Sequence, residues 1–160
     1  MDGQSSGEVR LEYWESAKCI SNAEALADFL APLFGDDDWS DYASKLTGRA
    51  HLLAIVALLG ESQLVGVKMG YERNRGVFNS WIGGVAPQFR GTGLANHLMT
   101  AQHEWAKDAG FRGVETATRQ HNRAMGILNL KSGFVVAGLD VVPGSETKVI
   151  FYKDLRAEKV

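Results

Sequence analysis

One stretch of this chain constrains its fold more than any other: a strand that runs through two closely spaced glycines straight into an amphipathic helix. In Val85-Ala86-Pro87-Gln88-Phe89-Arg90-Gly91-Thr92-Gly93-Leu94-Ala95 the strand ends at Val85, Pro87 stops its ladder, and a helix starts by about Thr92. Leu94, Leu98, Ala101 and Trp105 follow at spacings of four, three and four and cover one helix face. The first-turn N–H groups of a helix have no intrahelical partner and carry the positive end of its dipole. With glycines at 91 and 93 removing side chains at the turn, such a terminus can bind phosphate oxygens through backbone donors alone. Arg90 adds a charge for a further phosphate. A glycine-eased turn that binds nothing is the competing reading. A nucleoside-triphosphate loop is excluded, because no G-x-x-x-x-G-K-[ST] occurs. A dinucleotide fold is disfavoured: Asn96 stands at the third glycine position, and hairpins precede the loop in place of alternating strands and helices.

The rest of the chain sets that segment in a mixed sheet. Residues 1–7 are small and polar and read as disordered, leaving 8–160 as one domain. Val9–Trp14 alternates apolar and charged residues, as a half-buried strand does. Ser21, with Glu24 three residues on, reads as a capped helix start, the helix reaching about Leu30 and broken by Pro32 and Gly35. A shorter helix follows Asp36-Asp37-Asp38, one of these its N-cap, and reaches about Leu46. His51–Leu59 is a continuous apolar strand, Gly60-Glu61-Ser62 turns it, and Gln63–Tyr71 returns antiparallel. Val77–Val85 completes a three-strand meander. After the glycine helix, closed by Gly110, come a strand at Val114–Thr118, a helix at Asn122–Ser132 ended by Gly133, and strands at Phe134–Val142 and Thr147–Tyr152. The expected fold is α/β, a mixed and mostly antiparallel central sheet with helices on both faces.

Composition narrows the function classes. The 160 residues carry 17 Lys and Arg against 19 Asp and Glu, a net charge of -2, which excludes a strongly basic nucleic-acid surface. The single cysteine, Cys19, cannot form an intramolecular disulfide and has no nucleophile spacing. The longest apolar run, Leu52–Leu59, is far short of the roughly 20 residues that span a bilayer. The start of the chain lacks a basic segment followed by an apolar one, so a cytoplasmic location is expected, with no membrane partner. His97 and His103, six apart, point to different helix faces, and no H-E-x-x-H or C-x-x-C occurs, so no metal is expected. Trp39, Trp81 and Trp105 read as core or cleft-lining aromatics.

At this point the residues resemble a known family. Gln88-x-x-Gly91-x-Gly93 is similar to the acyl-CoA signature Q/R-x-x-G-x-G/A of the GNAT superfamily of N-acetyltransferases. The Val-x-Pro before it and Leu94-x-x-x-Leu98 after it resemble that family too. Asn122-x-x-Met125 followed by Gly133-Phe134 resembles its second landmark, N-x-x-A…G-F. The resemblance covers about Leu52 to Leu155 and implies a GNAT-like fold with acetyl-CoA as cosubstrate. It implies a loop of Gln88, Phe89, Arg90, Gly91, Thr92, Gly93, Leu94 and Ala95 around the pyrophosphate, with Asn122, Met125 and Asn129 also against the cosubstrate. It further implies a pantetheine arm in a V-shaped gap, where the meander's last strand splays from the strand after the glycine helix. Gly83-Gly84 falls at the splayed strand, where glycine would ease a bulge and a ligand's close approach.

The implied reaction is attack of a neutral amine on a thioester. By analogy the Val85 amide is the oxyanion donor. The family's acid is a tyrosine seven residues after the motif asparagine, and here that position is Asn129. Asn129 can donate a hydrogen bond to sulfur but cannot give up a proton, unless it is mere helix surface. Tyr71 or Tyr152 could substitute. Glu72 and His121 are the nearest candidates for the base, against a reading of each as a surface residue. Asp36, Asp37, Asp38 and Asp41 either cap a helix or draw a cationic amine to the acceptor site. The expected activity is acetyl-CoA-dependent N-acetyl transfer to a primary amine in a ternary complex. A catalytically silent acyl-CoA-binding regulatory domain and a plain interaction domain are the alternatives, and a homodimer is allowed.

Overall fold

The computed structural model describes residues 8–35 and 38–156; the disorder expected at 1–7 and the candidates Asp36 and Asp37 lie outside the described residues. The chain runs β1 (Val9–Glu15), α1 (Ser16–Ser21), α2 (Ala23–Phe34), α3 (Tyr42–Leu46), β2 (Leu53–Leu59), β3 (Gln63–Asn74), β4 (Val77–Val85), a 3-10 turn (Pro87–Phe89), α4 (Leu94–Asp108), β5 (Gly113–Arg119), α5 (Arg123–Lys131), β6 (Val135–Asp140) and β7 (Lys148–Asp154). The seven strands form one sheet in the order β1-β2-β3-β4-β5-β7-β6, antiparallel except where β4 meets β5. This is the mixed, mostly antiparallel sheet that the sequence predicts.

Two apolar layers hold it. On one face Leu94, Leu98, Met99 and Ala106 of α4, with Met125 and Leu128 of α5, pack on Leu53, Ile55, Ala57, Phe78, Val114 and Phe151. On the other, Cys19, Leu26, Leu30 and Leu46 from α1–α3 cover Ala54, Val56, Val67 and Met69. β2 is buried on both faces, which is why its sequence is unbroken apolar and does not alternate. The far edge is different: Val135, Val136 and Leu139 on β6 are each about 60% exposed.

Several expectations are corrected. The Ser21–Glu24 capping box does not form: Ser21 ends α1, its hydroxyl donating to the Lys18 carbonyl, and Asn22 stands between two helices without a side-chain cap bond. Burial decides this, because Cys19, Ala23, Leu26 and Leu30 make one continuous buried stripe through both. Pro32 does not break the helix. α2 runs on to Phe34, since Leu33 beyond the proline seats against Gly84. The bulge expected at Gly83-Gly84 lies instead at Trp81, the extra residue between Ser80, opposite Gly70, and Ile82, opposite Met69. Glycine at 84 answers to packing: a Cβ there would sit 2.6 Å from Leu33 Cδ1. At Gly70, opposite the bulge, a Cβ would overlap the Asn79 carbonyl oxygen and lie 2.5 Å from the Phe78 ring, so the strand bends over a residue with no side chain.

Candidate functional site

The site is built where two parallel strands part. β4 pairs with β5 only through Val77–Asn79 against Gly113–Glu115. Beyond that, β4 stays with β3 to Val85, while β5 stays with β7 to Arg119. The last link across is the Thr116 hydroxyl, donating to the Ser80 carbonyl at 2.9 Å. Trp81, the bulge, is the next residue, so the fork opens there. From Trp81 to Val85 is four residues, about 13 Å of strand edge at ~3.3 Å each. Both strands end at the open mouth, and both are followed by helices, α4 and α5, whose N-termini flank it. A crevice at the carboxyl ends of parallel strands is where open sheets hold ligands.

At that mouth the glycines have the geometry the sequence asks for. Gly91 and Gly93 have φ of 79° and 86°, and nothing lies within 4 Å of a Cβ built on either. Gly93 is the N-cap of α4, and the first helical bond runs from the His97 amide to the Gly93 carbonyl. The amides of Leu94, Ala95 and Asn96 are thus left without intrahelical acceptors. The Thr92 hydroxyl closes the turn on the Phe89 carbonyl at 2.5 Å. Gln88, Arg90 and Ala95 are exposed, Phe89 is half-buried, and the Leu94 side chain is core. Arg90-x-x-Gly93-x-Ala95 satisfies the same Q/R-x-x-G-x-G/A spacing two residues later and puts its first glycine at the N-cap.

The gap's walls are polar. The Ala86 amide donates to Val65 on β3, so, peptide groups alternating along a strand, Val85 and Gly83 turn theirs toward the gap. Opposite them Thr116 and Thr118 are buried on β5. Asn129 is fully buried, not helix surface: its Nδ2 donates to Thr118 Oγ1 at 3.1 Å, and its Oδ1 has no partner among the described residues. Gln102 of α4 is fully buried with both amide atoms unpartnered. His103 accepts from Lys153 Nζ at 3.2 Å, and burial, then the charges of Lys153 and Lys68, push its pKa down to about 3. Lys68 of β3 is 8% exposed, and burial pulls it from 10.5 to about 8. Its Cδ lies where a Gly83 side chain would be. A lone charge in Leu64-Val65-Gly66-Val67-Lys68-Met69 is the sequence signal for it.

Other candidates sit elsewhere. Glu72 is at the closed end, its carboxylate accepting from the Gly76 amide at 2.8 Å and holding His51 Nδ1 at 2.6 Å; those bonds, the Gly76 one foremost, lower its pKa. That is turn and ion-pair geometry. His121 is at the open mouth, 2.5 Å from Glu146, on the side of the gap where the glycine turn lies. Tyr152 reaches back from β7 against Gly113, toward the closed end. Asn122 accepts from the Met125 amide at 3.2 Å and so caps α5, while Met125 packs into the core layer. Asp38 accepts from Ser40 through two bonds, which lower its pKa, and Asp41 accepts from the Ser44 hydroxyl at 2.6 Å from a left-handed N-cap position.

On the α1–α3 face, beside the fork, stands a row of rings that includes Trp39 and Trp81, while Trp105 packs in the opposite layer. Phe34, Trp39, Tyr42, Trp81 and Tyr71 touch in succession, ring centres 5.1–6.2 Å apart, Tyr42 stacked on Trp81 and Tyr71 edge-on to it. The Arg49 guanidinium lies 4.3 Å from both the Tyr71 and Trp81 ring centres. Tyr71, Asn79, Glu115 and Tyr152 fall in one register row across four strands. Glu115 is half-buried at the fork itself, on the face opposite Thr116. No local spacing marks Arg49 or Glu115: strand register brings Glu115 to the fork, and the packing of the segment after α3 on Tyr71 and Trp81 brings Arg49 there. Among the described residues there is no cluster of three metal-binding side chains, and no helix is long and apolar enough to cross a membrane.

Comparison with known proteins agrees with this geometry. The sequence model of the Acetyltransferase (GNAT) family matches residues 14–134. No curated protein matches at a significant level. Among solved structures, an IAA acetyltransferase from Bacillus cereus is 20% identical with a TM-score of 0.72, covering 92% of this chain and 99% of its own. The ribosomal-protein-S18-alanine N-acetyltransferase of Escherichia coli is 15% identical with a TM-score of 0.73, over 95% of this chain and 97% of its own. NAA60 of Arabidopsis thaliana, solved in complex with acetyl-CoA, is 14% identical with a TM-score of 0.73, over 94% and 100%. At these identities the likeness is one of fold.

Proposed function

The chain belongs to the GNAT acetyltransferase family, and from that premise we propose that it moves an acetyl group from acetyl-CoA to a primary amine by direct attack in a ternary complex. The observation that carries this reading is the β4–β5 fork, whose open mouth is flanked by two helix N-termini and a glycine turn with free space before it. The residues present fit the cosubstrate. The amides of Leu94, Ala95 and Asn96 with Arg90 suit the pyrophosphate, and the peptides of Val85 and Gly83 suit the pantetheine amides. Of those two, Gly83 stands about 7 Å nearer the fork, so in this reading the oxyanion role expected at Val85 passes to the Gly83 amide. The buried Cys19 thiol, which burial pushes up to about 11, has no part in the chemistry and suits a cytoplasmic protein.

The departing sulfur is served by Asn129. Its unpartnered Oδ1 and its bond to Thr118 leave an amide held at the gap with hydrogen-bonding capacity to spare. A thiol of pKa near ~8.5 needs little protonation to leave near neutrality. Asn129→Ala is expected to lower kcat about tenfold with little change in the KM for acetyl-CoA; Asn129→Tyr should hold the rate. Kinetics of the alanine variant identical to the parent's would remove Asn129 from the mechanism.

For the base, the register favours Glu115 over Glu72 and His121, which are committed to a turn and to Glu146. Glu115 lies at the fork on the face from which an amine would approach. General bases usually give at least ~10²-fold, but a water relay would soften the loss. Glu115→Gln is therefore expected to cut kcat/KM about tenfold at neutral pH, with recovery as pH rises and the amine deprotonates itself. A pH-independent loss would argue for misfolding or misplacement instead.

Thiol release across an amine panel, beside calorimetry with CoA, tests the whole reading. CoA binding without thiol release for any amine would leave a silent acyl-CoA-binding domain. No binding at all would leave the glycine loop a turn.

A further inference from the structure

We propose that the acceptor amine carries a carboxylate, and that Arg49, clamped on Tyr71 and Trp81, binds it. The inference rests on the acetyltransferase reading and names the substrate class of that same site. Arg49 follows α3 and is half-buried, with its guanidinium 4.3 Å from the centres of two rings. The two rings stand at 83° to each other and hold the guanidinium between them, and cation–π contact with ring faces uses none of its N–H donors in hydrogen bonds. Of the five, Nε is used, donating to the Lys45 carbonyl at 2.7 Å. No carboxylate pairs with the others among the described residues. A half-buried cation that is oriented and unpaired is a binding group awaiting an anion.

Its place says which anion. Arg49 touches Trp81, the first residue past the fork, about 13 Å of strand from the glycine loop, so the phosphates are out of its reach. Phosphate recognition falls instead to Arg90 and the α4 amides. The other polar atoms buried in the ring row are also short of partners: Trp39 Nε1 and the Tyr42 hydroxyl have none among the described residues. Tyr42 is 4% exposed, and burial pushes its pKa up to about 12, so it is a donor at any working pH. Arg49 is close enough for its charge to act on that hydroxyl. Asp38 and Asp41 accept from Ser40 and Ser44, and among the described residues neither is ion-paired with Arg49. Trp39 Nε1 and the Tyr42 hydroxyl are sealed in the row, so the group left facing an incoming ligand is the half-buried Arg49 guanidinium, whose free N–H donors fit a carboxylate. Glu115 lies two strands from Tyr71, about 10 Å away, on the same face. An amine directed to Glu115 and the fork, with its carboxylate on Arg49, spans that interval.

The test uses amines in pairs, each amino acid against its decarboxylated counterpart, such as lysine with cadaverine and phenylalanine with phenethylamine. The parent enzyme is expected to turn over at least one carboxylate-bearing member with the higher kcat/KM. Arg49→Gln should raise the KM for that member about tenfold, leaving its partner's KM and that of acetyl-CoA unchanged. Arg49→Lys, which keeps the charge but loses the fork, should recover part of the difference and guards against a glutamine variant that fails to fold. Preference of the parent for the decarboxylated members overturns the inference. So does an equal rise in KM for both members, which would mean that Arg49 only packs the rings. Absence of thiol release with every amine overturns the acetyltransferase reading and this inference with it; release confined to decarboxylated amines overturns this inference alone.

Discussion

Gly93→Asp is expected to weaken CoA binding about 100-fold while leaving the fold in place. Three features combine to give that result. Gly93 has φ 86°, and aspartate is among the few residues that tolerate a left-handed position, at about 1–2 kcal/mol. A Cβ there meets nothing within 4 Å, so no clash forces the loop apart. The position is also the N-cap of α4, where an aspartate side chain accepts from the amides one turn in. The new carboxylate therefore competes for the donors we assign to the pyrophosphate and repels that group as well. Losing charged hydrogen bonds worth about 1.5–3 kcal/mol corresponds to roughly 10- to 150-fold. Gly93→Ala carries the backbone strain without the competing oxygens and should bind CoA far better than the aspartate variant. Titration calorimetry reads both, with circular dichroism to confirm the fold. Parental affinity in the aspartate variant would move the phosphate site off this loop.

Much of this architecture can be read from local pattern, and the places where it cannot have a common cause. The meander and the strand–glycine–helix turn are legible because a strand repeat of two, a helix repeat of 3.6 and a left-handed glycine are each set by near neighbours. The limits at α1 and α2 are not, because Ser21 and Pro32 give the usual signals of a start and a stop. A buried stripe from Cys19 to Leu30 and the seat of Leu33 on Gly84 outweigh both. Asn129 is visible by spacing, but not that it is buried and bonded to Thr118, eleven residues earlier on another element. Glu72 and His121 look like free titratable groups in sequence. Only the fold shows them engaged, with Gly76 and His51 in one case and with Glu146 in the other. Arg49 and Glu115 are the extreme cases, since sheet register carries Glu115 to the fork and tertiary packing on Tyr71 and Trp81 carries Arg49.

Lys68→Met is expected to make the protein about 3 kcal/mol more stable at pH 7. The lysine is buried in the middle of β3, no carboxylate faces it among the described residues, and burial brings its pKa down to about 8 from 10.5. The folded value is below the unfolded one, so the unfolded chain binds the proton more tightly. Stability from this group is fully present above about 10.5 and is lost as pH falls through 8. At pH 7 the loss is complete, and two to three units at ~1.36 kcal/mol each set its size. Methionine keeps the unbranched stem against Gly83 and removes the charge. Urea titrations should show the variant's advantage at pH 7 shrinking toward pH 10.5; equal stabilities at pH 7 would mean that the ammonium is solvated or paired. A residue that costs this much in a core invites a functional account, and Lys68 lies under the Gly83 peptide, which faces the gap. If the variant gains stability but loses kcat, with the KM for acetyl-CoA unchanged, the charge serves the oxyanion that the proposed mechanism puts at the fork. If it gains stability and keeps its rate, the lysine is a cost the fold carries without return.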